Sequence, residues 1–140
     1  MIQRIQTVYL VLAAILLSII FAFDSVWTGT TAAEFSWFVP VTMGVFGLTL
    51  VGSIVSIFLF KDRNRQRQVV VALQFLTILG LIVLFTAHFI AGNMPSMTSN
   101  ASFSEWAVIG GPVIAYLMFL MARRGIDKDA KLVKSMDRLR

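Results

Sequence analysis

Polar and apolar positions along the chain are sorted into long blocks. Residues 7–23, 38–60, 69–92 and 103–122 are nearly uninterrupted apolar runs, and none has an Asp, Glu, Lys or Arg in its central part. A helix rises 1.5 Å per residue and needs about 20 apolar residues, about 17 at the least, to cross about 30 Å of hydrocarbon. All four runs meet that length. They lack the strict alternation of lipid-facing strands, and hydrocarbon offers no partner for an unpaired backbone group, so helices are the predicted elements. Between them, residues 24–37 are rich in Thr, Ser, Gly and Ala, residues 61–68 are charged, and residues 93–102 carry Asn, Ser, Thr and Pro95. Short connections make successive helices antiparallel neighbours. The pattern predicts an all-α, integral membrane four-helix transmembrane bundle, a single domain over residues 1–140 whose last part, residues 123–140, is a polar tail.

Composition strengthens this reading and removes several chemistries. Apolar residues make up 58% of the chain and charged ones 14%, against about 45–50% and about 25% in an average soluble domain. Cysteine is absent, which excludes disulfides, thiol catalysis and thiolate metal sites; the one histidine, His88, excludes a His-rich zinc site within one chain. The first apolar run follows Arg4 as a secretory signal would, but at 17 residues it exceeds the usual apolar region of about 7–15. Ala22-Phe23-Asp24 is also a poor cleavage site, so the run is read as a retained helix.

The net charge of +5, from twelve Lys and Arg and seven Asp and Glu, hints at an acidic partner until it is placed on this layout. Arg4 precedes the first run, Lys61, Arg63, Arg65 and Arg67 lie between the second and third, and Arg123, Arg124, Lys128, Lys131, Lys134, Arg138 and Arg140 follow the fourth. With four antiparallel helices these segments share one side. That side carries all twelve cations and four of the seven acids, a balance of +8; Asp24, Glu34 and Glu105 leave −3 on the other. Cytoplasmic loops concentrate Lys and Arg, and tryptophans favour the headgroup layer, where Trp27, Trp37 and Trp106 all fall at the acidic side. Both termini are therefore expected in the cytoplasm.

A few residues stand out within the blocks. Ala14, Ser18 and Ala22 repeat at four-residue spacing, as do Gly52 and Ser56. Small residues let helix backbones approach where lipid gives no hydrophobic drive to associate, so both rows are expected to pack within the chain. Gly110-Gly111-Pro112 predicts a kink or local unwinding in the fourth helix. Gln74, two turns into the third helix, needs partners because an unpaired amide in hydrocarbon is costly. His88 near the other end of that helix is a weak ligand candidate, with a satisfied interfacial histidine as the plainer reading. Lys61, Arg63, Arg65 and Arg67 suit anionic headgroups; in the tail, Lys128, Lys131, Lys134, Arg138 and Arg140 surround Ile126, Leu132, Val133, Met136 and Leu139 as a basic amphipathic helix for the membrane surface or a partner. Asn100-Ala101-Ser102 matches a glycosylation sequon, a short pattern with a high chance rate.

The opening residues 1–10 (Met-Ile-Gln-Arg-Ile-Gln-Thr-Val-Tyr-Leu), the middle Asn64-Arg65-Gln66 and the closing Asp137-Arg138-Leu139-Arg140 resemble the domain-of-unknown-function 4293 family. The resemblance covers essentially the whole chain. It implies a small four-span protein of the inner membrane of certain Gram-negative bacteria and places Gln3, Arg4 and Gln6 in a family motif, but carries over no activity and no catalytic residue. Taken together, the expectation is a non-enzymatic inner-membrane protein, without cofactor or metal, that serves as an accessory or structural subunit. Its partners are lipids and other membrane proteins or copies of itself. Two alternatives are a small transporter or lipid- or quinone-binding protein using His88 and Pro112, and a cytoplasmic docking platform for RNA or ribosomes, nucleic acid being the less favoured partner.

Overall fold

The computed structural model describes residues 2–24, 29–92, 94 and 103–137, without the side chains of residues 2–4, 30, 134, 136 and 137. It contains α1 (Ile2–Ala22), a short α2 (Thr30–Glu34), α3 (Phe38–Phe58), a 3-10 turn (Leu59–Lys61), α4 (Arg63–Ile90) and α5 (Phe103–Asp137). The four long helices are each long and apolar enough to cross a membrane. They pack as a ring in the order α1, α3, α4, α5, with α5 returning to make its most extensive contact with α1.

Two boundaries differ from the sequence expectation. The charged run 63–68 is helical and forms the first turns of α4, because Asp62 caps them: its Oδ1 accepts from the Arg65 backbone N–H at 3.1 Å, satisfying an orphan donor and placing a negative charge at the positive end of the helix. The tail is helical, as expected, but not as a separate helix. It continues α5 without a break to Asp137, 35 residues in all, about 52 Å at 1.5 Å per residue. The helix also runs unbroken through Gly110-Gly111-Pro112, where Gly111 and Pro112 are buried. A Cβ on Gly111 would lie 3.2 Å from the Leu16 carbonyl oxygen of α1, so the small residues here serve close helix approach. The far end of α4 closes on Gly92, whose φ of +66° suits glycine, with its N–H donating to the Phe89 carbonyl at 3.2 Å.

The core is apolar, but α3 departs from the pattern of a water-soluble bundle. On α3 the buried face is Phe38, Thr42, Phe46, Thr49, Ser53 and Ser56, while Leu48, Val51 and Val55 are turned outward. In water that arrangement would expose large apolar side chains and bury hydroxyls, both unfavourable. In lipid it is stable. Between 22% and 33% of each candidate span is buried inside the chain, and the total accessible surface of 8745 Å² exceeds the roughly 7,250 Å² expected for a soluble monomer of this mass. Buried hydroxyls are bonded along their own helices where they cannot reach a neighbour: Thr49 donates to the Val45 carbonyl and Thr77 to the Leu73 carbonyl, each at 2.7 Å. The exceptions are Thr42 Oγ1 and, among amides, Gln74 Nε2, which have no hydrogen-bond partner among the described residues.

One knob fixes the middle of the ring. The Phe46 ring of α3 lies against the backbone of α4 at Gly80, where a Cβ would meet ring carbons at 2.7 and 2.8 Å. A rigid ring held between helices cannot swing away cheaply, so Gly80→Ala overpacks the contact at about 1–3 kcal/mol, partly offset by about 1 kcal/mol of helix propensity. The expected result is a net loss of stability on unfolding in detergent. Gly44→Ala is the control, since nothing lies within 4 Å of the added Cβ; it is expected to be neutral or stabilising.

Candidate functional site

The described Lys and Arg residues, with Asp62, Asp127 and Asp129, lie at the end of the bundle where α1 begins, α3 ends, α4 begins and α5 extends. The buried face of α5 continues through Ala115, Phe119, Ala122 and Ile126 to Asp129, so helical spacing carries a carboxylate into the same packed interface as the apolar core. Asp129 is 7% exposed and Gln6 of α1 is 5% exposed. Gln6 Nε2 donates to Asp129 Oδ2 at 3.0 Å, joining residues 123 positions apart. Gly125, one turn before Asp129, makes room for this bond, because a Cβ there would stand 2.8 Å from Gln6 Cγ.

Every neighbouring pair in the ring is tied at this end. Ser53 Oγ of α3 donates to the Leu10 carbonyl of α1 at 3.0 Å. Gln66 Nε2 of α4 donates to the Ser56 carbonyl of α3 at 3.2 Å. Between α4 and α5, Arg63 Nη1 donates to the Asp129 carbonyl at 3.3 Å, Arg67 Nε lies 2.6 Å from Asp127 Oδ1, and Arg123 Nη1 donates to Gln74 Oε1 at 3.4 Å. Arg123 Nε also approaches Asp127 Oδ2 at 4.0 Å. These bonds form a polar clasp. Its chemistry is hydrogen bonding and charge neutralisation across helices; among the described residues no three His, Asp or Glu converge as a metal would require.

The residues singled out by sequence fall into three groups. Gln6, Ser56, Gln74, Arg63 and Arg67 belong to the clasp or its edge, and Gly52 seats the Leu73 side chain of α4, 2.6 Å from where a Cβ would stand. Lys61, Arg65, Lys128 and Lys131 are exposed, Arg65 pairing with Asp62 at 3.0 Å. His88 lies apart near the far end of α4, its Nδ1 2.9 Å from the Leu84 carbonyl and its ring edge-on to Phe38 at 5.7 Å. A carbonyl only accepts, so that contact is a hydrogen bond when Nδ1 carries the proton.

The Ala14, Ser18, Ala22 row does not form the packed face of α1. That face is Leu10, Ala13, Leu17 and Ile20, one position away, and it leaves Ala14 half-buried and Ser18 and Ala22 exposed. Pro112 is buried in an unbroken helix, without the expected unwinding. The side chains of Gln3, Arg4 and Lys134, together with Arg138, Arg140, Trp27 and the sequon at Asn100, lie outside the described residues. Sequence reasoning missed Gly125, Asp127 and Asp129 as functional positions. The available signal was the first two of three acids inside a mainly basic tail, Asp127 four residues after Arg123 and Asp129 four after Gly125.

The clasp predicts unequal costs for its parts. Asp129→Ala leaves the buried Gln6 amide unpaired and is expected to cost about 1–3 kcal/mol, whereas replacing both Gln6 and Asp129 with Leu is expected to recover much of that loss. The Arg67–Asp127 pair, 49% and 36% exposed, is worth at most about 1 kcal/mol. Reversible unfolding in detergent of Asp129→Ala, the double Leu variant and Asp127→Asn checks this order.

A family model described as Domain of unknown function (DUF4293) matches residues 2–139. No curated protein and no solved structure matches the chain. The match runs from the first turn of α1 past the end of α5, so it takes in all four long helices and both sides of the clasp. The chain therefore belongs to the DUF4293 family.

Proposed function

We propose that this protein is a non-enzymatic structural or accessory subunit of a larger assembly in a bacterial inner membrane, with its basic end and both termini in the cytoplasm. The observation that carries the reading is the clasp itself. Asp127, Asp129, Arg63, Arg67 and Arg123, the ionisable groups brought together in the fold, are engaged with one another or with backbone and amide groups of neighbouring helices. Such bonding holds a shape. It does not hold a base or nucleophile ready beside a substrate, which catalysis demands.

A shape-holding membrane protein acts through its surfaces. The Ala14, Ser18, Ala22 row, unused by its own bundle, offers α1 a face where another helix backbone can approach closely. Lys61, Arg65, Lys128 and Lys131 add exposed cations around the basic end. The orientation rests on the charge balance of +8 against −3 and on exposed Trp37 and Trp106 at the acidic end.

Two measurements test this. Affinity purification in a mild detergent at native expression is expected to recover a reproducible set of membrane proteins with the chain; repeated recovery of the chain alone overturns the subunit reading. For orientation, the absence of cysteine makes single substitutions clean reporters. Ser135→Cys is expected to react with a membrane-impermeant maleimide only after the inner membrane is permeabilised, and Ser36→Cys beforehand. The opposite order reverses the topology.

A further inference from the structure

Beside the clasp, where α3 ends, a cleft of about 440 Å³ opens between α1, α3 and α4. Its walls differ in kind. Ile57, Phe58 and Phe60 supply an apolar side, and Gln6, Arg63 and Gln66 a polar one. The volume falls in the range of small-molecule sites, about 300–1,000 Å³. The amides of Gln6 and Gln66 already donate to Asp129 and to the Ser56 carbonyl. Arg63 differs: its guanidinium has five N–H donors, and among the described residues it gives one bond, to the uncharged Asp129 carbonyl, with no carboxylate within 4.0 Å of it. Asp62, its chain neighbour, is turned to Arg65.

The depth of the cleft identifies its occupant. At 21 residues α3 is about 31 Å long, the thickness of the hydrocarbon layer, so its last residue, Phe58, stands at the membrane boundary. Phe58 and Phe60 are 74% and 52% exposed, presenting rings at the depth where acyl chains meet headgroups, while Arg63 sits just beyond. A cation above an apolar wall at that depth fits a molecule that is anionic at one end and apolar at the other. We propose that this cleft binds one anionic phospholipid from the adjoining leaflet, its phosphate on Arg63 and the start of an acyl chain along Phe58 and Phe60. Basic pockets between membrane helices hold anionic headgroups in this way, with about 1 kcal/mol for each basic residue near the surface. The inference stands whether or not the protein is a subunit of anything larger.

Native mass spectrometry of the full-length chain released from neutral detergent, titrated with phosphatidylglycerol and with phosphatidylcholine of the same acyl chains, tests it. The expected result is one retained phosphatidylglycerol, preferred over phosphatidylcholine, with that preference reduced about fivefold in Arg63→Gln and unchanged in Arg65→Gln. Arg65 is the control because it removes the same charge from the same segment without lining the cleft. Arg63 also bonds α5, so Phe60→Asp is the second variant; it leaves the clasp intact and is expected to abolish retention without lowering the unfolding midpoint. Equal losses in Arg63→Gln and Arg65→Gln, equal retention of both lipids, or retention surviving Phe60→Asp overturns the proposal. So does displacement of the lipid by millimolar inorganic phosphate, which would mark a free-anion site, or a dimer peak that excludes lipid, which would mark the cleft as an interface between copies.

Discussion

The structure depends on the burial of one carboxylate. Asp129 lies inside a helix interface, and a charge removed from water without a partner is strongly destabilising. Its side-chain partner is Gln6, in the second turn of α1 and nearly the whole chain away. The value of the bond is therefore less its own net energy, about 1.5–3 kcal/mol for a charged hydrogen bond, than the register it imposes. Sliding α5 by one residue turns its faces by about 100° and takes Asp129 away from Gln6, leaving both unsatisfied. With that register set, α5 closes the ring against α1, and Arg63, Arg67 and Arg123 meet Asp129, Asp127 and Gln74 across the α4–α5 seam.

Lipid as solvent explains why so much of this work falls to polar groups. Between helices in hydrocarbon, apolar side chains gain no more from one another than from acyl chains, so contacts must come from dispersion, close approach and hydrogen bonds. The α3 face obeys this constraint, burying Thr42, Thr49, Ser53 and Ser56 and turning Leu48, Val51 and Val55 outward. Where backbones draw together, glycine supplies the room: Gly80 under Phe46, Gly52 under Leu73, Gly111 against the Leu16 carbonyl, Gly125 beside Gln6.

The four spans and the separation of charge were legible because they are carried by block composition, which survives any detail of packing. The faces were not. On α1 the sequence has two candidate rows at helical spacing, the small Ala14, Ser18, Ala22 and the mostly larger Leu10, Ala13, Leu17, Ile20, and only the second is packed. Smallness was sought on α1, but a close approach needs it on one helix of a pair, and Gly111 provides it on α5. The tail's contact with α1 was missed for a related reason. Its amphipathic pattern says that one face is covered, not by what: Ile126 and Asp129 are buried, Asp129 against Gln6 of α1, while Leu132 and Val133 farther along are exposed.

The cleft follows from an imbalance among the helices at the basic end. A ring of four must stay filled across the hydrocarbon, but α3 stops at Phe58 and gives way to a tight 3-10 turn, while α4 begins beyond it and α5 runs on to Asp137. Past the boundary the ring is left with α1, α4 and α5, where Gln6 and Arg63 bond to Asp129 of α5. The vacated corner is lined by Arg63 and Gln66 on one side and the flank of Gln6 on the other, above the exposed rings that end α3. The same arrangement that pairs Arg67 with Asp127 and gives the Asp129 side chain to Gln6 thus leaves the Arg63 guanidinium beside a half-apolar space with no carboxylate within 4.0 Å among the described residues, so the shape of the clasp and the charge of the cleft have one cause.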